Sequence, residues 1–192
     1  GVTLAVNYIG PSFFTDLLIQ NKLLVAGARI VNVSSEDHRI GPELNENGSH
    51  RFGEFWGGGL HDMAERYGES KLALTTYSLG IARKYKDEFR VLDICPGPVA
   101  SDIIRSQSKD LPWILVEIAD KFLQCVFPTP AEAARAVVRL AISSEYNEIT
   151  GVHFHMTRIR SARKSATSKS KQDWLLNLTR KLVINAGFNY EL

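Results

Sequence analysis

Apolar side chains recur at close to helical spacing over residues 3–24, at Leu4, Val6, Ile9, Phe13, Phe14, Leu17, Leu18 and Leu24, with Gly10-Pro11 interrupting them. The pattern predicts a helix with a bend. After a turn at Gly27, Ala28 to Val33 is a short β-branched run that stops at Ser34-Ser35, the form of a buried parallel strand. Residues 36–66 lose periodicity and carry Gly41, Gly48, Gly53, Gly57, Gly58 and Gly59. They predict a long loop whose Phe52, Phe55, Trp56 and Leu60 are candidates to line or cover a site. Helical period returns over about 65–85, with Leu72, Leu74, Tyr77, Leu79 and Ile81, and a basic end at Arg83, Lys84 and Lys86 that suits the helix dipole.

Val91 to Cys95 predicts a second strand, stopped by Pro96-Gly97-Pro98 so that its carboxyl end is open to a ligand. Residues 102–127 read as amphipathic helical pieces split near Pro112, with Trp113, Ile114, Leu115, Phe122 and Phe127 as core or lid contacts. Thr129-Pro130-Ala131-Glu132 combines an N-cap, a proline at the first helical position and a glutamate three residues after the cap, so a helix is expected from there to about Ser143. Gly151 to His155 reads as a last strand and Asp173 to Asn185 as a terminal helix carrying Trp174, Leu175, Leu178, Leu182 and Val183. Helix and strand thus alternate without a repeat, as in a parallel α/β sheet.

Composition narrows the function classes. With 192 residues, 44% of them apolar, the chain is long enough for one domain, residues 1–192, around one core. Its 23 basic and 21 acidic side chains leave a net charge of +2, too small a field to point to nucleic acid. Cys95 and Cys125 lack the spacing of a zinc site or the density of a disulfide scaffold, which favours a reducing compartment. No run of roughly 18 uncharged apolar residues is apparent, and the start has no signal-peptide pattern, so the visible chain is expected to be soluble. Gly1 in place of an initiator methionine leads us to expect chain upstream. Localisation is therefore expected to be intracellular, either cytoplasmic or membrane-associated. His153 and His155 share a strand face without a third ligand, so ordinary polar alternation is expected there and no metal. Residues 158–171 hold Arg158, Arg160, Arg163, Lys164, Lys169 and Lys171 without an acid. A solvated Ser-rich loop is expected, with anionic lipid or an acidic partner as the alternative.

Candidate chemistry begins with Tyr67-Gly-Glu-Ser-Lys71. A phenol and an ammonium four positions apart can face one way on a helix, where the cation can lower the phenol's pKa. That pairing suits proton transfer. Bringing a phenol from about 10 to about 7 needs about 4 kcal/mol of preferential phenolate stabilisation.

Four pieces in this order resemble the short-chain dehydrogenase/reductase family, and more closely its branch of retinol-dehydrogenase-like enzymes: Val6 to Gly10, Arg29 to Ser35, Tyr67 to Ala73, and Pro96 to Ser101. The resemblance covers nearly the whole chain. It implies a Rossmann-like doubly wound parallel sheet, of which this chain is the carboxyl-terminal part. The family's glycine-rich turn, Thr-Gly-x-x-x-Gly-x-Gly, and the residue that selects between NAD and NADP normally precede this segment. Gly57-Gly58-Gly59 lacks the preceding strand and is no substitute.

The implied activity is NAD(P)-dependent interconversion of an alcohol and a ketone or aldehyde, with a retinol- or steroid-like lipophilic substrate. NADP is slightly favoured over NAD. By this resemblance Tyr67 exchanges the proton, while Lys71 assists it and binds the nicotinamide ribose. Ser35 holds the substrate oxygen, with Ser34 as fallback. Asn7 extends the proton relay through a water. Pro96, Gly97, Val99 and Ser101 hold the nicotinamide carboxamide, Ser101 standing where threonine is usual. The family also suggests a homodimer. The alternative from another class is a catalytically silent binding or scaffold protein that keeps the fold. A serine hydrolase is a distant third, since no Gly-x-Ser-x-Gly elbow is present.

Overall fold

Pro11 shapes the first helix. Its ring lacks an N–H and would strike the carbonyl four residues back, at Asn7, so a regular α-helix cannot run straight through. The chain instead forms α1 (Val2–Leu4), a π-helical turn (Ala5–Ile9) and α2 (Gly10–Gln20), with the Gly10 N–H reaching back to the Ala5 carbonyl. The predicted bend is this widened turn. The structure, a computed structural model, describes residues 1–44, 60–99, 117, 121 and 127–188. Ser101, Cys125, Phe52, Phe55, Trp56 and most of the helical pieces expected over 102–127 lie outside the described residues.

By length and composition Val2–Gln20 is long and apolar enough to cross a membrane, which the search for uncharged runs missed because Asp16 interrupts it. Here one face of this stretch packs inward. Leu4, Tyr8, Ser12, Thr15 and Asp16 are buried. The Tyr77 hydroxyl donates to Asp16 Oδ1 at 2.7 Å and lies 3.1 Å from the Ser12 carbonyl oxygen. The Tyr8 and Tyr77 rings meet edge to face, and the Tyr8 hydroxyl bonds Thr179. Burial holds the Tyr8 phenol far above its ordinary pKa, so it acts as a neutral polar link in the core.

The sheet has the order β1 (Arg29–Val33), β2 (Arg90–Cys95), β3 (Val152–His155), β4 (Arg158–Arg160). The first three strands are parallel, with Asn32 opposite Asp93 and Asp93 opposite His153; β4 is antiparallel to β3. β3 is therefore not the last strand, and the sheet is mixed rather than wholly parallel. Arg158-Ile-Arg160 was unreadable as a strand because it is three residues long and exposed at an edge, where charge is tolerated.

The sheet is covered on both faces. On one lies α3 (Leu60–Lys84), backed by α5 (Lys169–Asn185) and the first helices, with Tyr8, Leu72, Tyr77, Ile81, Val91 and Leu175 in the core. On the other lies α4 (Pro130–Ile142), where Leu92, Ile94, Leu140, Tyr146 and Phe154 pack together. Alternation along β2 sends Leu92 and Ile94 toward α4 and Val91 and Asp93 toward α3. The expected capping box is complete: the Thr129 side chain accepts from the Glu132 N–H, and the Glu132 carboxylate accepts from the Thr129 N–H at 2.9 Å.

Three boundaries differ from the sequence reading. α3 starts at Leu60 because its first turns are polar and carry no apolar stripe to be read. α5 starts at Lys169, capped by Ser168. Residues 36–66 are not loop throughout: Glu36–Arg39 is a 3-10 turn capped by Ser35. That turn packs against α3 through two glycines. A Cβ on Gly41 would lie 2.3 Å from Glu69 N, and one on Gly68 would lie 2.7 Å from both Asp37 O and Gly41 N, so only backbone without side chains permits this approach.

The basic stretch is also not a free solvated loop. Arg160 pairs with Glu36 at 2.8 Å, Arg163 with Glu43 at 2.8 Å and with the Gly41 carbonyl at 2.5 Å, and Lys171 with Glu43 at 3.1 Å. Its charges fasten β4 and the following turn to the segment after β1.

Phe154→Ala should destabilise the protein by about 3–5 kcal/mol, the range for emptying a large aromatic site, read from the urea unfolding midpoint. Gly68→Ala should cost about 1–3 kcal/mol by overpacking and break the contact between the 3-10 turn and α3, read as loss of amide-exchange protection at His38 and Gly41.

Candidate active site

Tyr67, Lys71 and Thr75 follow one another at every fourth position of α3, so they line one face of the helix, over the carboxyl ends of β1 and β2. β1 ends at Val33, and the Ser34 N–H extends its ladder to the Ile94 carbonyl at 2.7 Å. The Ser34 hydroxyl is buried and meets Thr75 Oγ1 at 2.7 Å. Ser35, one residue on, leaves the strand as the cap of the 3-10 turn. Its Oγ accepts the Asp37 N–H at 3.2 Å and lies near enough to the Tyr67 phenol to lower its pKa. The structure thus assigns different partners to the two serines: Ser35 meets the tyrosine and Ser34 anchors the strand end to α3.

Lys71 Nζ donates to the Val33 carbonyl at 3.1 Å and lies 5.6 Å from the centre of the Tyr67 ring. Burial lowers its pKa, opposed by the charge of Asp93 and by Cys95. The expected depression of the phenol by this cation is not found. Burial raises the Tyr67 pKa, the Ser35 hydrogen bond pulls it down, and Asp37 and Cys95 push it up. The ammonium is tied to a strand carbonyl beside the ring, while desolvation acts on the whole phenolate, so in this state the phenol is a proton donor.

Asn7 sits on the π-helical turn, where Nδ2 donates to Ser70 Oγ at 3.1 Å, and Ser70 Oγ donates to the Tyr67 carbonyl at 2.7 Å. It braces the turn of α3 that carries the tyrosine; among the described residues no hydrogen bond joins it to Lys71. Pro96, Gly97 and Val99 follow β2 directly. Gly97 has φ +89°, and a Cβ there would meet Met156 Cγ at 3.3 Å, so this turn calls for glycine. Burial raises the Cys95 pKa, while the Gly97 and Glu36 N–H groups near its sulfur lower it. Ser101 lies outside the described residues.

Sequence reasoning missed a charged group behind Ser35. Asp93 is wholly buried, and its Oδ2 accepts from Thr75 at 3.1 Å and meets His153 Nδ1 at 2.5 Å. His153 Nε2 meets Glu36 Oε1 at 2.9 Å, and Glu36 Oε2 pairs with Arg39 at 2.7 Å and Arg160 at 2.8 Å. His153 is therefore a buried ion-pair member rather than an ordinary alternating polar residue. A signal was present, since Asp93 interrupts an otherwise apolar strand run. Its partners came from segments too distant in sequence to be paired with it.

The fold and the order of these residues agree with what the chain resembles. It is 25% identical over 179 residues to mouse (Mus musculus) retinol dehydrogenase 12, covering 93% of this chain and 52% of that protein. It is 28% identical over 153 residues to human (Homo sapiens) retinol dehydrogenase 11, covering 79% of this chain and 44% of that protein. The chain thus spans about half the length of these relatives. Among solved structures, a short chain dehydrogenase family protein from Francisella tularensis superposes with a TM-score of 0.52 at 21% identity, over 80% of this chain and 58% of that one; that likeness concerns the fold. No family-level sequence profile matches. In motif order, sequence likeness and fold, this chain resembles the short-chain dehydrogenases/reductases, and in sequence the retinol dehydrogenases among them.

Proposed function

We propose that this chain carries the proton-transfer and substrate-orienting part of an NAD(P)-dependent oxidoreductase that interconverts a lipophilic alcohol with its ketone or aldehyde. The observation that carries the reading is the meeting of the Tyr67 phenol with Ser35, which lowers its pKa, and with Lys71, 5.6 Å from the ring centre, at the carboxyl ends of two parallel strands. In open α/β sheets ligands bind at that end.

Each side chain has a role its chemistry allows. The Tyr67 phenol, kept protonated by burial, donates to the oxygen of a carbonyl substrate and recovers the proton when the alcohol is the substrate. Ser35 Oγ can donate to that same oxygen while accepting from its neighbours, which fixes the oxygen at the phenol. Lys71 spends one N–H on Val33 O among the described residues; an ammonium has three, so its donor set fits ribose hydroxyls. A bound nicotinamide would supply or accept the hydride. Pro96, Gly97 and Val99, with Ser101, are proposed to hold its carboxamide, supported by a turn whose glycine leaves backbone groups open to approach. Asn7 is proposed to position Tyr67 through Ser70. The retinol dehydrogenases among the relatives support a retinoid-like substrate class and, with the family resemblance, NADP over NAD.

Tyr67→Phe should lower turnover about 10^2- to 10^4-fold, the usual worth of a positioned acid or base, and leave cofactor affinity nearly unchanged. Steady-state rates with retinoid and steroid carbonyls, and NADPH and NADH fluorescence titrations, check both parts. Wild-type rates in the variant would overturn the assignment of Tyr67, and cofactor binding without turnover of any such substrate would favour the scaffold reading.

A further inference from the structure

We propose that His153 is a positioning residue: as an imidazolium between Asp93 and Glu36 it clamps the turn after β1 so that Ser35 stays beside Tyr67. This rests on the site reading above and adds to it a residue outside the four motifs.

The clamp is a closed circuit. Thr75, two helical turns after Tyr67 on α3, bonds Ser34 Oγ at 2.7 Å and donates to Asp93 Oδ2 at 3.1 Å. Asp93 on β2 meets His153 Nδ1 on β3, His153 Nε2 meets Glu36, and Glu36 is covalently next to Ser35. The helix that carries the tyrosine and the segment that carries the serine are thus held by one chain of polar contacts running beneath the sheet end. His38 grips Ser35 from the other side. Its Nε2 accepts the Arg163 N–H at 3.2 Å, which leaves Nδ1 as the protonated nitrogen, donating to the Ser35 carbonyl at 2.7 Å.

Charge balance requires the imidazolium. Asp93 and His153 side chains are both wholly buried, and Asp93 Oδ1 has no hydrogen-bond partner among the described residues. A buried carboxylate with one bare oxygen needs a cation in contact. His153 is the one in reach of its other oxygen, and both ring nitrogens face carboxylates, which only the doubly protonated ring can satisfy as donor. The groups facing it are Asp93 from β2, Glu36, His38 and Arg39 from the 3-10 turn, Arg160 from β4 and His155 from its own strand, whose Nδ1 lies 3.8 Å from Glu36 Oε1. Burial pulls the His153 pKa down, but bonding to Asp93, that carboxylate's charge and then Glu36 outweigh it and raise the pKa. For Glu36, burial pushes up, and the bonds from Arg39 and His153 with the charges of Arg39 and Arg160 overcome it, to about 2.

Glu36, His38 and His153 each bring a ligand atom to within 4.8 Å of the others, yet those atoms are committed. His38 Nε2 holds a backbone N–H, His153 Nε2 faces Glu36, and the other Glu36 oxygen holds two guanidinium groups. A divalent ion would have to displace these bonds and add charge to a cluster already containing Arg39 and Arg160.

The sign of the pH effect follows. A histidine with a raised folded pKa contributes stability that is complete below its unfolded value of about 6.5 and is lost as pH rises through the folded value. Above it, the clamp opens and the turn that carries Ser35 loosens from the strand ends.

The test uses readouts independent of turnover, so that it can fail while the oxidoreductase reading stands, and the reverse. In 1H–15N spectra the Asp37 amide, which donates to Ser35 Oγ, should shift with the His153 titration in the wild-type protein, and His153→Gln should abolish that step. Glu36→Ala cuts the clamp at its partly exposed end without opening the core, and should do the same; it serves if His153→Gln fails to fold. In 15N imidazole spectra, both His153 nitrogens should be protonated at pH 6. An unprotonated Nε2 at that pH, zinc-induced shifts of the His153 signals, or an Asp37 step that persists in the folded variants would each overturn the proposal.

Discussion

A carboxyl group buried in the middle of β2 is the constraint around which this end of the molecule is built. Asp93 cannot reach water, so its partners must come from the protein, and they come from three elements: Thr75 from α3, His153 from β3 and, through that ring, Glu36 from the turn after β1. Those same elements carry or adjoin Tyr67, Lys71 and Ser35. Satisfying one buried acid and holding Tyr67, Lys71 and Ser35 in register are thus a single structural requirement. An apolar side chain at 93 would relieve the desolvation cost and also remove the link between strand end and helix.

Close approach is the second requirement. Polar contacts among Ser34, Thr75 and Lys71 act over about 3 Å, and they form only if the turn after β1 lies directly on α3. Gly41 and Gly68 meet backbone to backbone and make this possible. On the far side of the site, Gly97 opens the turn after β2. The first helices complete the frame from below, with Pro11 forcing the π-helical turn that places Asn7 against Ser70. Such widened turns recur at functional sites.

Electrostatics in this frame differ from those of a simple phenol and ammonium pair. Burial raises the phenol and lowers the ammonium, so each is pushed toward its neutral form. The protonated phenol is the state needed to protonate a carbonyl oxygen, which makes the structure as it stands a reductase-poised arrangement under the proposed function. The basic run after β3 works in the same frame, since Arg160, Arg163 and Lys171 neutralise Glu36 and Glu43 and hold the segment after β1 in place.

The sequence by itself determined what depends on neighbours along the chain. Helical period and strand runs located three strands and the main helices, Thr129 and Glu132 announced their capping box, and the spacing of Tyr67 and Lys71 placed them on one helix face. These are local because hydrogen bonds and periodicities within an element span only a few residues. Tertiary structure decided what depends on contacts between distant segments. It separated Ser35 from Ser34, turned Arg158 to Arg160 into an edge strand, and converted a basic loop into ion pairs. It also brought Asp93, His153 and Glu36 together across separations of 60 and 117 residues. Each of those three looks unremarkable in its own segment. Charge compensation in a dry interior selects partners by distance in space, and no local pattern records it.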